Sequence, residues 1–96
     1  MSALDDVLEE EYERLKRIKA ALEKELKGIP KGYLSKKQIG GKFYSYLQLR
    51  EGKKVTSHFV SAADVPQWEA TIAHRKKVEA SLKECNKNLK KLEKVL

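Results

Sequence analysis

The feature that most constrains this chain is a short segment with β-strand character set between two long stretches of helical periodicity. In residues 4–26, apolar residues recur at steps of three and four, which places them on one face of an α-helix. Residues 78–96 repeat the alternating steps of a heptad seam. Between these stretches, residues 33–60 hold runs of strand-forming residues separated by glycine-containing turns. The expected order of elements is therefore helix, β-structure, helix.

Local signals set the ends of the first helix. Ser2 and Asp5 form a capping signature, in which a side chain satisfies the first unpaired amides of a helix. Gly28 and Pro30 form a stop, because glycine favours the position after a helix and proline cannot continue one. Acidic residues near the start and lysines near the end complement the helix dipole. The first helix is predicted to span about Ala3–Lys27.

A second capping signature, Ser61 with Asp64, precedes the last helix, and Pro66 lies where a missing amide hydrogen costs little. No glycine or proline follows Pro66, so this helix can extend for about 30 residues. Each apolar stripe is too narrow for a fully buried helix and too apolar for solvent, so the two helices are expected to pair. The seam residues expected to hold them together are Leu15, Leu22, Leu82, Leu89 and Leu92.

These elements predict an α+β fold, namely a long antiparallel helical hairpin of coiled-coil type with an inserted three-stranded antiparallel β-meander. The 96 residues suit a single domain, made of a helix in 1–28, a meander in 31–60 and a long helix in 61–96. The second helix is longer than the first, so part of its seam needs another partner. Homodimerisation through the helices is the simplest expectation.

Two glycine-containing turn signals divide the β-segment into three strands. The first is Gly40-Gly41 and the second is Glu51-Gly52. The strands are expected at about residues 33–39, 42–50 and 53–60. The length of each connecting loop decides which residues share a face, because a shift of one residue moves every side chain to the opposite face.

Two-residue loops would place Tyr44 and Tyr46 on the same face as Val55 and Phe59, and Leu47 on the opposite one. Three-residue bulged loops, at 40–42 and 51–53, separate apolar from polar side chains more cleanly, so they are the expected geometry. One face, packed on the helix ends near Trp68 and Ile72, would then hold Tyr33, Ile39, Phe43, Leu47, Leu49, Val55 and Phe59. The other would hold Lys36, Gln38, Tyr44, Tyr46, Gln48, Arg50, Lys54, Thr56 and His58.

Positive charge is concentrated in the same segment. Residues 28–60 contain seven Lys or Arg and one acid, whereas residues 1–27 have a small acidic excess. Lysine and arginine neutralise phosphates, tyrosine stacks on bases, and glutamine or arginine can contact base edges. A basic sheet face that carries tyrosines is therefore predicted to bind nucleic acid, with DNA as the expected form. The residues predicted to carry this binding are Lys36, Lys42, Tyr44, Tyr46, Arg50, Lys53 and Lys54.

No residue pattern points to catalysis, a cofactor or a metal. His58 and His74 have no Cys or carboxylate at metal-ligand spacing, and Cys85, the single cysteine, lies on the heptad seam, where a small buried residue is expected. No apolar run approaches the roughly 20 residues of a membrane span, and no signal peptide is visible. A single cysteine also fits a reducing compartment. We expect a non-enzymatic, cytoplasmic protein that needs no cofactor or metal and does not contact a membrane.

Residues 31–60 have the sequence KGYLSKKQIGGKFYSYLQLREGKKVTSHFV. This run resembles a meander found in small, mostly uncharacterised proteins of bacteria and their mobile elements, where it precedes a Lys- and Glu-rich helix. It also resembles the three-stranded DNA-binding domain of phage and transposon integrases, which inserts its sheet into DNA. The first resemblance implies the order of elements given above and no particular activity. The second implies DNA binding through the sheet.

Two other functions fit the same pattern. A protein-binding module, such as a phage or mobile-element inhibitor or an antitoxin-like subunit, would use the basic sheet to dock on a target protein. A structural coiled-coil adaptor would depend on the seam leucines, and the lysines of the sheet would then serve only solubility and edge protection. Affinity for DNA that falls steeply with salt would distinguish nucleic-acid binding from both alternatives.

Overall fold

The computed structural model describes residues 3–96, and its elements occur in the predicted order. The helices and strands are α1 (Ala3–Lys27), β1 (Gly32–Ile39), β2 (Lys42–Glu51), β3 (Lys54–Val60) and α2 (Val65–Glu93). Two helices with a three-stranded antiparallel sheet between them in the chain confirm the predicted α+β class, and α1 has the predicted bounds. Of the first capping signature, Ser2 lies outside the described residues. Neither α1 nor α2 combines the length and the apolar character that crossing a membrane requires.

The chain divides into two compact units. The helical unit contains residues 3–28 and 77–96, so it consists of α1 and the C-terminal part of α2. The sheet unit is Ile29–Lys76, which holds the three strands and the first turns of α2. The expectation that residues 1–96 form a single domain stays a prediction.

The helical unit is held together by a small apolar core. The buried residues of this core are Leu15, Cys85 and Leu89, and the side chains packed against them are Tyr12, Ile18, Leu22 and Leu92. Most of these positions belong to the predicted seam. The burial of Cys85 confirms that it acts as a small core residue in the heptad pattern.

Hydrogen bonds between side chains and the facing helix also join α1 to α2 in this unit. The Cys85 thiol donates to the Leu15 carbonyl at 3.2 Å, and the Tyr12 hydroxyl donates to the Glu93 carboxylate at 3.1 Å. Because the earlier residue of α1 contacts the later residue of α2, the two helices run antiparallel, as predicted. The bond from Tyr12 to the Glu93 carboxylate raises the pKa of the Tyr12 hydroxyl above its ordinary value, since deprotonation would place two negative charges side by side.

In the sheet unit, the strand order is β1-β2-β3, and the first turn contains two residues. Ile39 pairs with Lys42, which leaves Gly40 and Gly41 as the turn. Both glycines have positive φ, 59° and 81°, as a type I′ turn requires at its two central positions. The predicted three-residue loop at 40–42 is therefore wrong.

The second turn is also shorter than predicted. Glu51 pairs with Lys54, so the turn is Gly52-Lys53. Gly52 has φ of 60° and occupies the first central position, which is the pattern of a type II′ turn. Both primed turns match the right-handed twist of the flanking strands, and this local geometry outweighs a cleaner separation of polar and apolar side chains.

The two-residue turns place β1 and β3 one residue out of the predicted register with β2. Tyr46 pairs with Phe59, and Leu47 pairs with His58. The residues that consequently share the face of Tyr44 and Tyr46 are Tyr33, Ile39, Val55 and Phe59. Those that move to the face of Leu47 are Lys36, Gln38, Lys54, Thr56 and His58.

The face that contains Leu47 packs beside α2 and is called the helix-side face. Leu47 and Val60 are buried. Leu34, from β1, lines a groove together with Val65 and Ile72 of α2. Ile72 therefore lies beside the sheet, as expected, but opposite a different set of strand side chains.

Ser61 and Asp64 precede α2 as predicted. The Ser61 hydroxyl donates to the Asp64 carboxylate at 3.0 Å, and the Asp64 amide donates to the Ser61 carbonyl at 3.0 Å. Further along α2, the Arg75 guanidinium donates to the Ile29 carbonyl. This bond connects α2 to the segment that enters β1 and so helps to fix the helix against the sheet.

Candidate nucleic-acid interface

The surface of the sheet opposite the helix-side face is called the open face. Its side chains alternate along each strand with those of the helix-side face. They are Tyr33, Ser35, Lys37 and Ile39 from β1, Lys42, Tyr44, Tyr46, Gln48 and Arg50 from β2, and Val55, Ser57 and Phe59 from β3. Three of these residues are Lys or Arg and none is Asp or Glu, so every formal charge on the open face is positive.

Three aromatic rings form a cluster across β2 and β3. The centroid of the Phe59 ring lies 6.2 Å from that of Tyr44 and 6.0 Å from that of Tyr46. The Tyr46 contact is edge-to-face, with ring planes at 73°, which is a favoured arrangement for aromatic pairs. Phe59 is nevertheless 61% exposed, so the cluster holds the ring in place and leaves much of it open to solvent. Tyr33, on β1, is equally exposed.

The cations of the open face lie beside and beyond this cluster. Lys37 Nζ is 4.9 Å from the centroid of the Tyr46 ring, which is within the range of a cation–π contact. Lys42 and Arg50 are exposed near opposite ends of β2, roughly 26 Å apart along the strand at about 3.3 Å per residue. Arg50 Nε donates to the Gly52 carbonyl at 3.3 Å, which orients this guanidinium toward the second turn.

Gln48 connects all three strands at the centre of the open face. Its Nε2 donates to the Ser35 hydroxyl at 3.2 Å and to the Ser57 hydroxyl at 3.0 Å. A glutamine amide has two hydrogens to donate, so both are used inside the sheet. From its sequence position, Gln48 was expected on the polar face, where it could contact base edges. In the structure its amide hydrogens instead link the strands that carry the aromatic rings.

The register separates the seven residues predicted to bind nucleic acid. Those that share the open face are Lys42, Tyr44, Tyr46 and Arg50. Lys36 and Lys54 are exposed on the opposite, helix-side face, and Lys53 lies in the second turn. The prediction that one face unites Lys36 and Lys54 with the tyrosines is wrong, because both turns are one residue shorter than expected.

Three residues of the open face were missed as site residues. Tyr33 and Phe59 had been assigned to the packed face, and Lys37 had been assigned to no face at all. The signal that would have found Tyr33 and Lys37 is Gly40-Gly41, since two adjacent glycines are the composition that a type I′ hairpin favours, whereas the face of Phe59 is set by the second turn. A two-residue turn at that point fixes the face of every residue in β1.

The open face can offer aromatic surface for stacking and positive charge for phosphates. It carries no carboxylate that would repel a polyanion. Within residues 3–96, no group of three or more His, Cys, Asp or Glu side chains is placed to hold a metal ion. The chemistry of this surface is that of recognition by stacking, hydrogen bonding and charge.

Residues 8–70 match the model of a family described as a domain of unknown function, DUF6788. The matched region begins in α1, contains the whole sheet and ends in the first turns of α2. No curated protein and no solved structure matches the chain. Since the family model covers well over half of the sequence, including every residue of the open face, the chain belongs to the DUF6788 family.

Proposed function

We propose that this protein is a non-enzymatic nucleic-acid-binding protein whose open face binds a single strand. The observation that carries the proposal is the combination of exposed aromatic rings with three cations and no acid on one face of a sheet. Aromatic side chains stack on unpaired bases, and lysine or arginine tracks the phosphate backbone. Neither group requires a particular sequence, so the expected binding is sequence-tolerant.

The distribution of polar groups favours a single strand over a duplex. Base edges in a duplex are read in the major groove by side chains with unpaired hydrogen-bonding groups. The Gln48 amide hydrogens are already donated to Ser35 and Ser57. Exposed rings such as those of Phe59 and Tyr33 are of little use against stacked base pairs, whereas unstacked bases can lie on them.

The proposed roles follow from position. Phe59, which contacts two tyrosine rings, provides the main stacking surface. Tyr33 provides a second one across the sheet. The phosphates lie near the three cations, Lys37, Lys42 and Arg50.

Fluorescence anisotropy of labelled oligonucleotides tests the proposal. The panel contains a thymidine 15-mer, a uridine 15-mer and a random duplex, each titrated at several salt concentrations. With about three phosphates neutralised, the slope of log K against log salt is about −2, so raising NaCl from 50 to 200 mM weakens single-strand binding about twentyfold. Phe59→Ala removes one stacking surface and lowers affinity by about five- to a hundredfold.

The matched control for Phe59→Ala is Phe43→Ala, which removes an equally large, exposed ring from the helix-side face. The proposal requires that Phe43→Ala leave affinity unchanged. If neither single-stranded oligonucleotide is bound at 50 mM NaCl, the proposal is abandoned. Preferential binding of the duplex would contradict single-strand binding and would support insertion of the sheet into duplex DNA, as the integrase resemblance implies.

Docking on a protein is the second candidate function, and one observation favours it. Ile39, Val55 and Phe59 are apolar residues on the open face that are each more than half exposed. An exposed apolar surface of this kind also suits a protein partner, with the flanking cations directing it to an acidic target. Salt-resistant retention of one cellular protein, in the absence of oligonucleotide binding, would support this candidate.

A further inference from the structure

The two outer strands of the sheet differ in how they are protected from pairing. β1 and β3 are the edges, since β2 lies between them. β1 carries the adjacent lysines Lys36 and Lys37, and lysines on an edge strand discourage pairing with another chain. From Val55 to Val60, β3 contains no Lys, Arg, Asp or Glu. Apart from Lys54 at its first position, the β3 edge therefore lacks charged protection.

The register shows which backbone groups of β3 face outward. Residues that flank a two-residue turn form a hydrogen-bonded pair, so Glu51 and Lys54 bond to each other, and bonded pairs recur at every second residue. The amides and carbonyls of Val55, Ser57 and Phe59 then point away from β2. These three residues form a ladder of donors and acceptors along the free edge.

The same three residues form a self-complementary pattern. If β3 meets an identical strand antiparallel, with a two-fold axis through Ser57, then Ser57 lies opposite the partner's Ser57. Val55 lies opposite the partner's Phe59, and Phe59 lies opposite the partner's Val55. Val55 and Phe59 are 60% and 61% exposed, so part of the apolar surface of each can be buried in this pairing. Aromatic and β-branched residues are favourable cross-strand neighbours.

A second copy of this chain suits the β3 edge better than the β1 edge. A second copy presents the same uncharged ladder in reverse order, so every outward residue meets a matching one without a charge being buried. Pairing through β1 would instead bring lysines toward lysines, which is unfavourable. The exposed β3 edge, its uncharged composition and its symmetry about Ser57 thus point to a second copy of this chain.

We propose that β3 pairs antiparallel with β3 of a second copy about a two-fold axis at Ser57, which joins the two sheets into one. Paired residues of an antiparallel ladder lie on the same face, so the two open faces become one continuous surface. This interface differs from pairing through the helices. It does not depend on nucleic-acid binding, although the joined surface would offer a longer track to a single strand.

Salt separates this proposal from the proposed function. Each copy carries a net charge of +7, so two copies repel each other, and screening by salt weakens the repulsion. Dimerisation is therefore expected to strengthen between 50 and 500 mM NaCl. Binding of an oligonucleotide is expected to weaken over the same range. One property can fail while the other holds.

Analytical ultracentrifugation of the full chain at 500 mM NaCl, over a range of protein concentrations, measures the dimer directly. Ser57→Pro removes an outward amide that β2 does not use, so by symmetry two bonds of the dimer are lost, and it also removes the hydroxyl that accepts a bond from Gln48. This is expected to raise the dimer dissociation constant about thirtyfold. Gln38→Pro is the matched control, because the Arg50 amide bonds to the Lys31 carbonyl and so sets Gln38 outward on the β1 edge. The control should leave the dimer intact.

Crosslinking gives a second measurement that does not depend on how well the proline variants fold. Ser57→Cys would place two thiols on strands whose Cα atoms are about 5.5 Å apart, so a short bismaleimide joins them. Ser35→Cys is the control, since Ser35 also accepts a bond from Gln48 but lies on β1, far from the axis. Cys85 is buried, and the unmodified chain serves as its blank. A monomer at every concentration, or a dimer indifferent to Ser57→Pro and not crosslinked through Ser57→Cys, overturns the proposal.

Discussion

Lys36 and Lys37 are neighbours in the sequence that the sheet directs to opposite faces, and this offers a sharp test of the proposed interface. Lys37 lies on the open face with its Nζ 4.9 Å from the centroid of the Tyr46 ring, whereas Lys36 lies on the helix-side face. Replacing either by alanine lowers the net charge from +7 to +6. Any difference between the two variants therefore reports position and not total charge.

The expected magnitude follows from the salt dependence of phosphate contacts. Each contact contributes about 0.7 to the slope of log K against log salt for a single strand. Losing one of about three contacts in Lys37→Ala reduces the slope from about −2.1 to about −1.4. If the electrostatic contribution vanishes near 1 M salt, affinity falls about eightfold at 50 mM and about threefold at 200 mM.

The assay is anisotropy of a labelled thymidine 15-mer at four salt concentrations, with circular dichroism to confirm that each variant is folded. Lys36→Ala should keep the slope of the unmodified protein within error. The Lys36 charge lies on the face of the sheet opposite the bound oligonucleotide, so it is largely screened over about one Debye length. Equal losses for the two variants would show that only net charge matters. A larger loss for Lys36→Ala would support the register with three-residue loops, in which Lys36 shares a face with Tyr44 and Tyr46. It would refute the argument from the two-residue turns.

Three further predictions concern stability. Leu89→Ala empties part of the core of the helical unit and should lower the free energy of unfolding by about 2–5 kcal/mol, measured by urea denaturation. Gly32→Ala should also destabilise the protein, because a Cβ at Gly32 would lie 2.6 Å from the Gln48 carbonyl oxygen, and chemical denaturation with exchange of the sheet amides would detect the loss. Tyr12→Phe should reduce the loss of thermal stability between pH 9 and pH 12. Hydrogen bonding to Glu93 raises the pKa of Tyr12 in the folded state, so this bond stabilises fully below the unfolded value of about 10 and is lost as pH rises through the folded value.

Each of these has a control within the chain. Val95→Ala shortens an exposed side chain near the same end of the chain and should change stability little, so an equal loss would contradict the core assignment made for Leu89. Gly28→Ala is the control for Gly32→Ala, since its nearest contact would be an ordinary 3.5 Å. Identical alkaline profiles for Tyr12→Phe and the unmodified protein would contradict the role given to the Glu93 contact.

Much of the fold follows from local sequence, because helix ends and strand-forming runs are set by short-range chemistry. Gly28 and Pro30 end α1 where they were expected to, since neither residue suits a helix interior at that point. Ser61 and Asp64 precede α2 for the same kind of reason. The seam positions Leu15 and Leu89 are buried because the periodicity that marks them also brings them to one side of each helix.

The candidate site was only partly predictable, because its residues come together through pairing between strands. Tyr44 and Tyr46 belong to the same strand, so alternation alone placed them on one face. Lys37 and Phe59 join them only if both turns have two residues. The separation of polar from apolar side chains favoured three-residue loops. The two-residue turns form instead because their backbone geometry matches the twist of the strands.

By itself, the sequence determined the order of the five elements, the ends of α1 and the seam that joins the helices, since each depends on residues close together in the chain or on a single periodicity. Only the tertiary structure decided which face of the sheet α2 covers and which side chains share the open face. The physical reason is that the strand repeat is two residues. A difference of one residue in a turn leaves the strands in place and exchanges their faces, so local propensity does not distinguish the two registers.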